Sequence, residues 1–444
     1  MSSIIKVDNI QDQAGNNIIN ESGGTITIGV AGNTVSFASN VSFSSLTIAG
    51  NLSVDSGTIK LDGNYPTGTN NVAMGDTALA SGSLSGGCNT AIGHSVLNAN
   101  TSASKNTGIG ACALAKNTTG AENIGIGFLS SACNTEGNNN SSLGVQALRI
   151  NTTGDNNTAL GSYALNKNTT ASNNTAVGFN SLCSNTTGTE NTAVGKDALK
   201  LNTTAIQNTA LGTSALRDTT TGACNTSVGF NSLVLNSTGS NNTAMGRNAL
   251  FNNTTASNNT AVGFESLKAN TTGTSNVAVG NNALKTQTTA DGNTAIGSDT
   301  LCTITSSAGG NTAVGQKALE DDTTGFYNTS VGSLSLCQNT EGACNVAIGR
   351  EALRNNTTAS NNTAVGKDSL KANTTGSDNT AVGGEALIAN TTGANNTSVG
   401  KNSMLGNTEG ASNTALGNNA LQCNTTADNN TAIGRCALRS NTTG

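Results

Sequence analysis

The chain has no tryptophan, one proline and one histidine, and aromatic residues make up 2% of its 444 positions. A globular core for a chain of that length draws on large apolar side chains that are scarce here, which excludes ordinary packing into two or three domains. Charge is scarce too: 10% of residues are charged and the net charge is −5, spread without blocks. Nothing offers the basic stripe that nucleic acid requires, and no apolar run approaches the roughly 18 residues of a membrane helix. The opening MSSIIKVDNIQ has no basic stretch followed by an apolar one, so it does not read as a secretory signal. Low charge with little proline also departs from the composition of a disordered chain.

Catalytic and metal-binding patterns are missing as well. His94 is the only residue on which a Ser-His-Asp or Cys-His arrangement could be built, and its place reads as a surface turn. There is no C-x-x-C spacing for zinc, no phosphate loop of the G-x-x-x-x-G-K-[ST] kind and no calcium-binding nonapeptide. The expectation is a protein without enzymatic activity, metal or cofactor. Of the ten cysteines, Cys88, Cys224 and Cys344 share one column of the repeat described next, and Cys183, Cys302 and Cys337 share another. Neither column carries cysteine in successive repeats, so stacking does not pair them within a chain. Free thiols in a reducing cytosol are expected, with pairing between chains left open.

What the chain does have is repetition. NNTAVGFNSLCSNTTGTE, residues 174–191, is followed by NTAVGKDALKLNTTAIQ and NTALGTSALRDTT. Taking the glycine of A-V-G as the mark gives 22 repeats from Gly75 to Gly434, with a spacing of 17 except for 18-residue steps at Gly75–Gly93 and Gly297–Gly315. Asparagine stands four before the glycine in all 22, and leucine four after it in 20. Such a unit cannot fold alone. Its Val and Leu contribute about 3–6 kcal/mol when buried, against on the order of 1–2 kcal/mol per residue for ordering the backbone. Copies must therefore stack and close one another's hydrogen bonds.

The pattern predicts an all-β parallel β-solenoid over residues 71–444, with two short strands per coil, T-A-V and A-L-x, joined by turns. Coils about 4.8 Å apart would make a rod of roughly 100 Å. The turn glycines Gly178, Gly195, Gly212, Gly229, Gly246 and Gly263 are expected to take backbone angles closed to other residues. The expected core ladder is Val177, Leu182, Val194, Leu199, Leu211 and Leu216. Asparagines at the first position and in N-T-T should form amide ladders, so the N-T-T triplets read as structural rather than as glycosylation sites. Because A-V and A-L put apolar residues on both sides of a strand, close packing of several chains is expected, with Ala and Ser columns letting backbones approach. A homotrimer is favoured over a lone solenoid. Residues 1–64 read as a segment of short alternating strands, and 65–70, around Pro66, as a joint.

Variation gathers just after the glycine and the leucine, as at Lys196-Asp197, Arg247-Asn248, Phe264-Glu265 and Arg350-Glu351. The plain reading is a solubilising face. The sharper one is a contact stripe with Phe179, Phe230 and Phe264 as exposed rings and Lys196, Arg247 and Arg350 as its charges. Such rings suit sugars, or cap the neighbouring coil.

The N-T-A-V-G-x-x-A-L-x-x-N-T-T-G phrase resembles the repeats of phage tail-fibre proteins. It is also similar to the head repeats of trimeric autotransporter adhesins, over about residues 70–444. The opening SIIKVDNIQDQAGNNII resembles the start of structural proteins of marine tailed phages, where such a segment seats a fibre on the virion. The resemblance implies a left-handed, trimeric β-roll. The autotransporter signal peptide and membrane barrel have no counterpart here, nor does a self-cleaving folding chaperone. The chain stops at Gly444 inside a repeat, so either a removed C-terminal domain or a shortened chain is expected. The leading expectation is a virion tail fibre made in the host cytoplasm. Its N-terminus would be held by a baseplate or tail protein, and its surface would meet a host receptor, a glycan being one candidate, with no nucleic acid and no membrane insertion. A cell-surface adhesin or extracellular filament is the alternative, and an ice-binding solenoid with flat threonine columns is a third reading.

Overall fold

Alternation of side chains along a three-residue strand decides how each coil is built. In the repeat around residue 175, Asn174 points inward, Thr175 outward, Ala176 inward and Val177 outward, the period of two of any β-strand. A computed structural model describes residues 9–11, 17–22, 25–28, 68–81, 84–305 and 308–443. The chain divides into two compact units, Met1–Lys60 and Leu61–Gly444. In the first, β1 (Asn9–Gln11), β2 (Asn17–Ser22) and β3 (Thr25–Ile28) form an antiparallel sheet in that order, with a register shift between Ile10 and Gln11. The further strands expected between residues 29 and 64, and most of the joint, lie outside the described residues.

The second unit is a parallel β-solenoid, with no helix among the described residues. Strands β4 (Val72–Met74) through β25 (Thr431–Ile433) pair each with the next, one strand per coil. Between β10 (Thr175–Val177) and β11 (Thr192–Val194), Thr175 faces Thr192, Ala176 faces Ala193 and Val177 faces Val194. The ladder continues beyond the strand. Leu182 N–H donates to Ala198 O at 3.0 Å and Thr186 N–H to Thr203 O at 2.9 Å, so the turns are stacked as regularly as the strands.

Two expectations change. The A-L-x stretch is not a second strand. It is a turn in which Asn180 (φ 57°) and Leu182 (φ 48°) both take left-handed backbone, as their counterparts do in other coils. A coil of 17 residues with one three-residue strand must otherwise turn, and the left-handed residue aims leucine inward at the cost of local strain. The expected core ladder also splits. Leu182, Leu199 and Leu216 are fully buried, whereas Val177, Val194 and Leu211 lie on the outer face of the sheet, with Leu211 48% exposed. The inward neighbours of that second column are Ala176, Ala193 and Ala210, all fully buried. The coil is narrow: one leucine and two small residues fill it. Where serine replaces the strand alanine, a second serine meets it, as in the Ser227–Ser232, Ser330–Ser335 and Ser398–Ser403 hydroxyl pairs. Buried hydroxyls thus keep partners.

Two columns of buried asparagine run beside this apolar filling. Asn174 Nδ2 donates to Gly188 O at 3.0 Å, and its Oδ1 accepts from the Asn191 N–H at 3.0 Å. Asn185 Nδ2 donates to the same Gly188 O at 2.9 Å and to Asn168 Oδ1 at 2.9 Å. One corner carbonyl is therefore held by an amide from its own coil and one from the coil before. Asn185, the first residue of an N-T-T sequon, is fully buried with its amide nitrogen committed to these bonds. A glycan there would require the ladder to open.

The register glycine has two reasons to be glycine. Gly212 has φ +135°, and a Cβ placed on it would lie 2.6 Å from Gly229 O in the next coil. Gly212→Ala is expected to destabilise the array by roughly 1–3 kcal/mol from backbone strain, before the clash is counted. The check is a thermal melt, in which Thr213→Ala, one residue along, stays near wild type.

The N-T-T column is interrupted by Asp322, next to Ile304 on the preceding rung; both are fully buried. Gly325 N–H and Asn339 Nδ2 each reach Asp322 Oδ1 at 3.0 Å, and Oδ2 has no partner. Burial pushes the carboxyl up to about 7, against the pull of those two donors. The folded state thus holds a proton that the unfolded chain releases near pH 4. Stability is full below that pH, falls as pH rises toward 7 and stays reduced above it. Asp322→Asn, which restores the ladder amide, should match wild type in melts near pH 4 and exceed it at pH 8, by about 2–4 kcal/mol.

Candidate functional site

Three surface features are built by the stacking. The first is the outer face of the parallel sheet. Its aliphatic column begins at Met74 and Ile92, passes Leu160, Leu211 and Met245 and ends at Ile433, with one residue in every coil exposed or half-buried. A threonine column runs beside it, through Thr158, Thr175 and Thr192. Scattered apolar side chains on a surface are ordinary, but an uninterrupted apolar line is not. Small Ala and Ser columns, expected to let chains approach one another, are instead inside the coil.

The second is the position after the register glycine, where all six sequence-predicted contact residues lie. Phe179, Phe230 and Phe264 are exposed. Phe179 meets Tyr163 of the preceding coil edge-on, with centroids 6.0 Å apart and planes at 89°. The Arg247 guanidinium lies between the Phe230 and Phe264 rings, 6.0 and 5.9 Å from their centroids. These three residues come from successive coils, so identical register turns a 17-residue spacing into a ring–cation–ring stack. Lys196 lies 3.9 Å from Asp197, and Arg350 bonds Glu351 at 2.6 Å. Lys371 joins Glu351 at 2.5 Å and, with Arg350, holds its carboxyl well below the usual range. Much of this column is thus occupied with its own neighbours. The structure gathers Phe230, Arg247 and Phe264, while Phe179 pairs with Tyr163 and Arg350 belongs to a separate ion cluster.

The third was not identified from the sequence. At the Gly297–Gly315 step the extra residue falls between Ile304 and Asn311, at the corner before the strand. A cleft of about 710 Å³ opens there, lined by Thr274, Ser275, Asp291 and the glycines Gly292, Gly309 and Gly310, and ending at Phe326 and Tyr327. The available signal was a cluster of glycines at a broken period, followed by the only adjacent aromatic pair in the chain.

Elsewhere the chemistry is sparse. His94 is exposed, 3.7 Å from Asp76. Among the described residues no group of three or more His, Cys, Asp or Glu side chains is placed to hold a metal ion, and no helix is long and apolar enough to cross a membrane. All ten cysteines are unpaired within the chain. No protein-family model, curated protein or solved structure matches this chain.

The thiols differ in reactivity. Burial, reinforced by the Glu320 carboxylate 3.5 Å away, pushes Cys337 up to about 12, while Cys224 and Cys344 are exposed. Because the thiolate is the reacting species, alkylation at pH 8 followed by peptide mass spectrometry should label Cys224 and Cys344 well before Cys337.

Proposed function

We propose that this chain is a structural fibre protein of a tailed phage. It acts without catalysis, as a homotrimeric shaft joined to the virion through its N-terminal segment and presenting a repeated surface to the host. The observation that carries the reading is the apolar column along the outer sheet face. One aliphatic residue per coil, in unbroken succession, supplies a line that a second and third copy in the same register cover with their own. Burying such a line scales with the number of coils, at about 25 cal/mol for each Å² of apolar area removed from water. Three chains side by side stiffen one another, and weak contacts repeated along them add through avidity. The resemblance of the repeats to phage fibres and of the opening to virion structural proteins supplies the biological setting. A cell-surface adhesin shares the same physics, and the two separate by where the protein is found: antibody against the repeats should decorate tails in negative-stain views of virions. The ice-binding reading fits less well, because Val, Leu, Ile and Met alternate irregularly beside the threonines and deny the face a constant lattice.

Sedimentation or light scattering should give three times the mass of the 43.9 kDa chain. Replacing the consecutive Leu211, Val228 and Met245 by aspartate should lower that mass while the β-sheet circular dichroism persists. A monodisperse monomer of the unaltered protein would overturn the shaft reading.

A further inference from the structure

The cleft at the irregular coil is a place where the array stops repeating itself. Its shape comes from missing side chains. The column one before each strand asparagine normally carries a polar side chain on left-handed backbone, such as Glu190 (φ 60°) or Gln207 (φ 59°). In two successive coils that column holds Gly292 (φ +69°) and Gly310 (φ +73°), and Gly309 empties the position beside it. The rung at Gly292 is thereby left bare, and at Gly310 the only side chain over the backbone is the Tyr327 ring of the following coil.

The walls differ in chemistry. On one side Asp291 Oδ1 accepts from the Thr274 N–H at 2.5 Å and from the Thr274 hydroxyl at 2.9 Å, with Ser275 alongside. These bonds fix the carboxylate at the edge of the cleft. On the other side Phe326 and Tyr327 stand nearly perpendicular, 84° between planes and 5.5 Å between centroids, at 45% and 67% exposure. The Tyr327 ring packs over Gly310, where an added Cβ would come within 2.5 Å of it. An aromatic wall, a fixed carboxylate, hydroxyls and exposed backbone amount to a mixed surface, too polar for an apolar peptide and without the cations an anionic ligand needs. They suit a neutral pyranose. The C–H face of a sugar ring carries partial positive charge and rests on the negative face of an aromatic ring. Its equatorial hydroxyls then meet carboxylate and hydroxyl partners, the small set of placed polar groups that orients a ligand in a pocket.

We infer that the cleft between Asp291 and Tyr327 is a saccharide-binding site for a neutral hexose or N-acetylhexosamine unit, one per chain. This deepens the recognition half of the proposed function and rests on it for biological setting only. In a homotrimer three such sites lie at one level of the shaft, which converts weak single contacts into avidity.

Saturation-transfer NMR with a panel of free hexoses and N-acetylhexosamines at millimolar concentration tests it. At least one pyranose should give signal with the unaltered chain. Tyr327→Ala should weaken that signal at least tenfold. Gly292→Gln should do the same, because it fills the gap with the side chain that Gln207 places in the same column, and a Cβ at Gly292 meets nothing within 4 Å. Of the two variants it is the one expected to lose less stability, because its left-handed backbone (φ +69°) is one that Gln207 (φ 59°) already holds in this column, and a thermal melt alongside confirms that the chain is folded. Tyr163→Ala, an exposed ring in another column, should bind as before. No signal from any sugar, or undiminished binding by both Gly292→Gln and Tyr327→Ala, overturns the assignment. A monomeric mass with sugar binding intact would instead remove the shaft and leave this site standing.

Discussion

Corner carbonyls along the solenoid are held by pairs of buried amides, except where Thr219 or Asp322 replaces the N-T-T asparagine, and the rest of the structure depends on that arrangement. Gly188 O, for example, accepts from Asn174 of the coil before and Asn185 of its own coil. A buried polar group left unpaired costs about as much as a lost leucine contact gains, so the asparagines lock register. Slipping one coil by a residue would take its asparagines out of line with those of the coils above and below it. The apolar filling, one leucine with Ala or Ser, is too small to specify register alone. The amides make the repeat strict, and the strict repeat makes the surface columns straight.

Straight columns are what give this chain any capacity for recognition. A residue that varies from coil to coil changes one rung. A residue that persists writes a line. Phe230, Arg247 and Phe264 become a stack only because the glycines before them occupy one column. The aliphatic line on the sheet face has the same origin. Its exposure follows from the period of two: once asparagine and alanine are turned inward, valine is turned out. Ladder defects are local for the same reason. Thr219 in the N-T-T column leaves Asn202 Oδ1 without a partner, yet the strands on either side keep their pairing. The inserted residue near Gly309 opens a cleft without ending the sheet, since Thr294 still pairs with Thr312 across it.

Repetition, coil length, β rather than helical coils and the two asparagine ladders were legible in the sequence, because a 17-residue unit with buried-type residues at fixed places has few ways to satisfy its backbone. Leu182 and Leu216 were legible as core on the same ground. The second strand was not, because A-L has ordinary strand composition and only the closing of the coil forces left-handed backbone on Asn180 and Leu182. The placement of Val177 and Leu211 was not legible either, because hydrophobicity says that a residue seeks cover without saying whether its own chain supplies it.

What the sequence by itself determined was the repeat and its stacking, since local hydrogen bonding between identical neighbours needs no information from afar. What only the tertiary structure decided was direction: which apolar column fills the coil and which faces away, and where missing side chains at Gly292, Gly309 and Gly310 face a ring from the following coil. Inside and outside are properties of the closed coil, and a cleft is a relation between rungs. Neither exists until the chain has turned its corners and laid one rung upon the next.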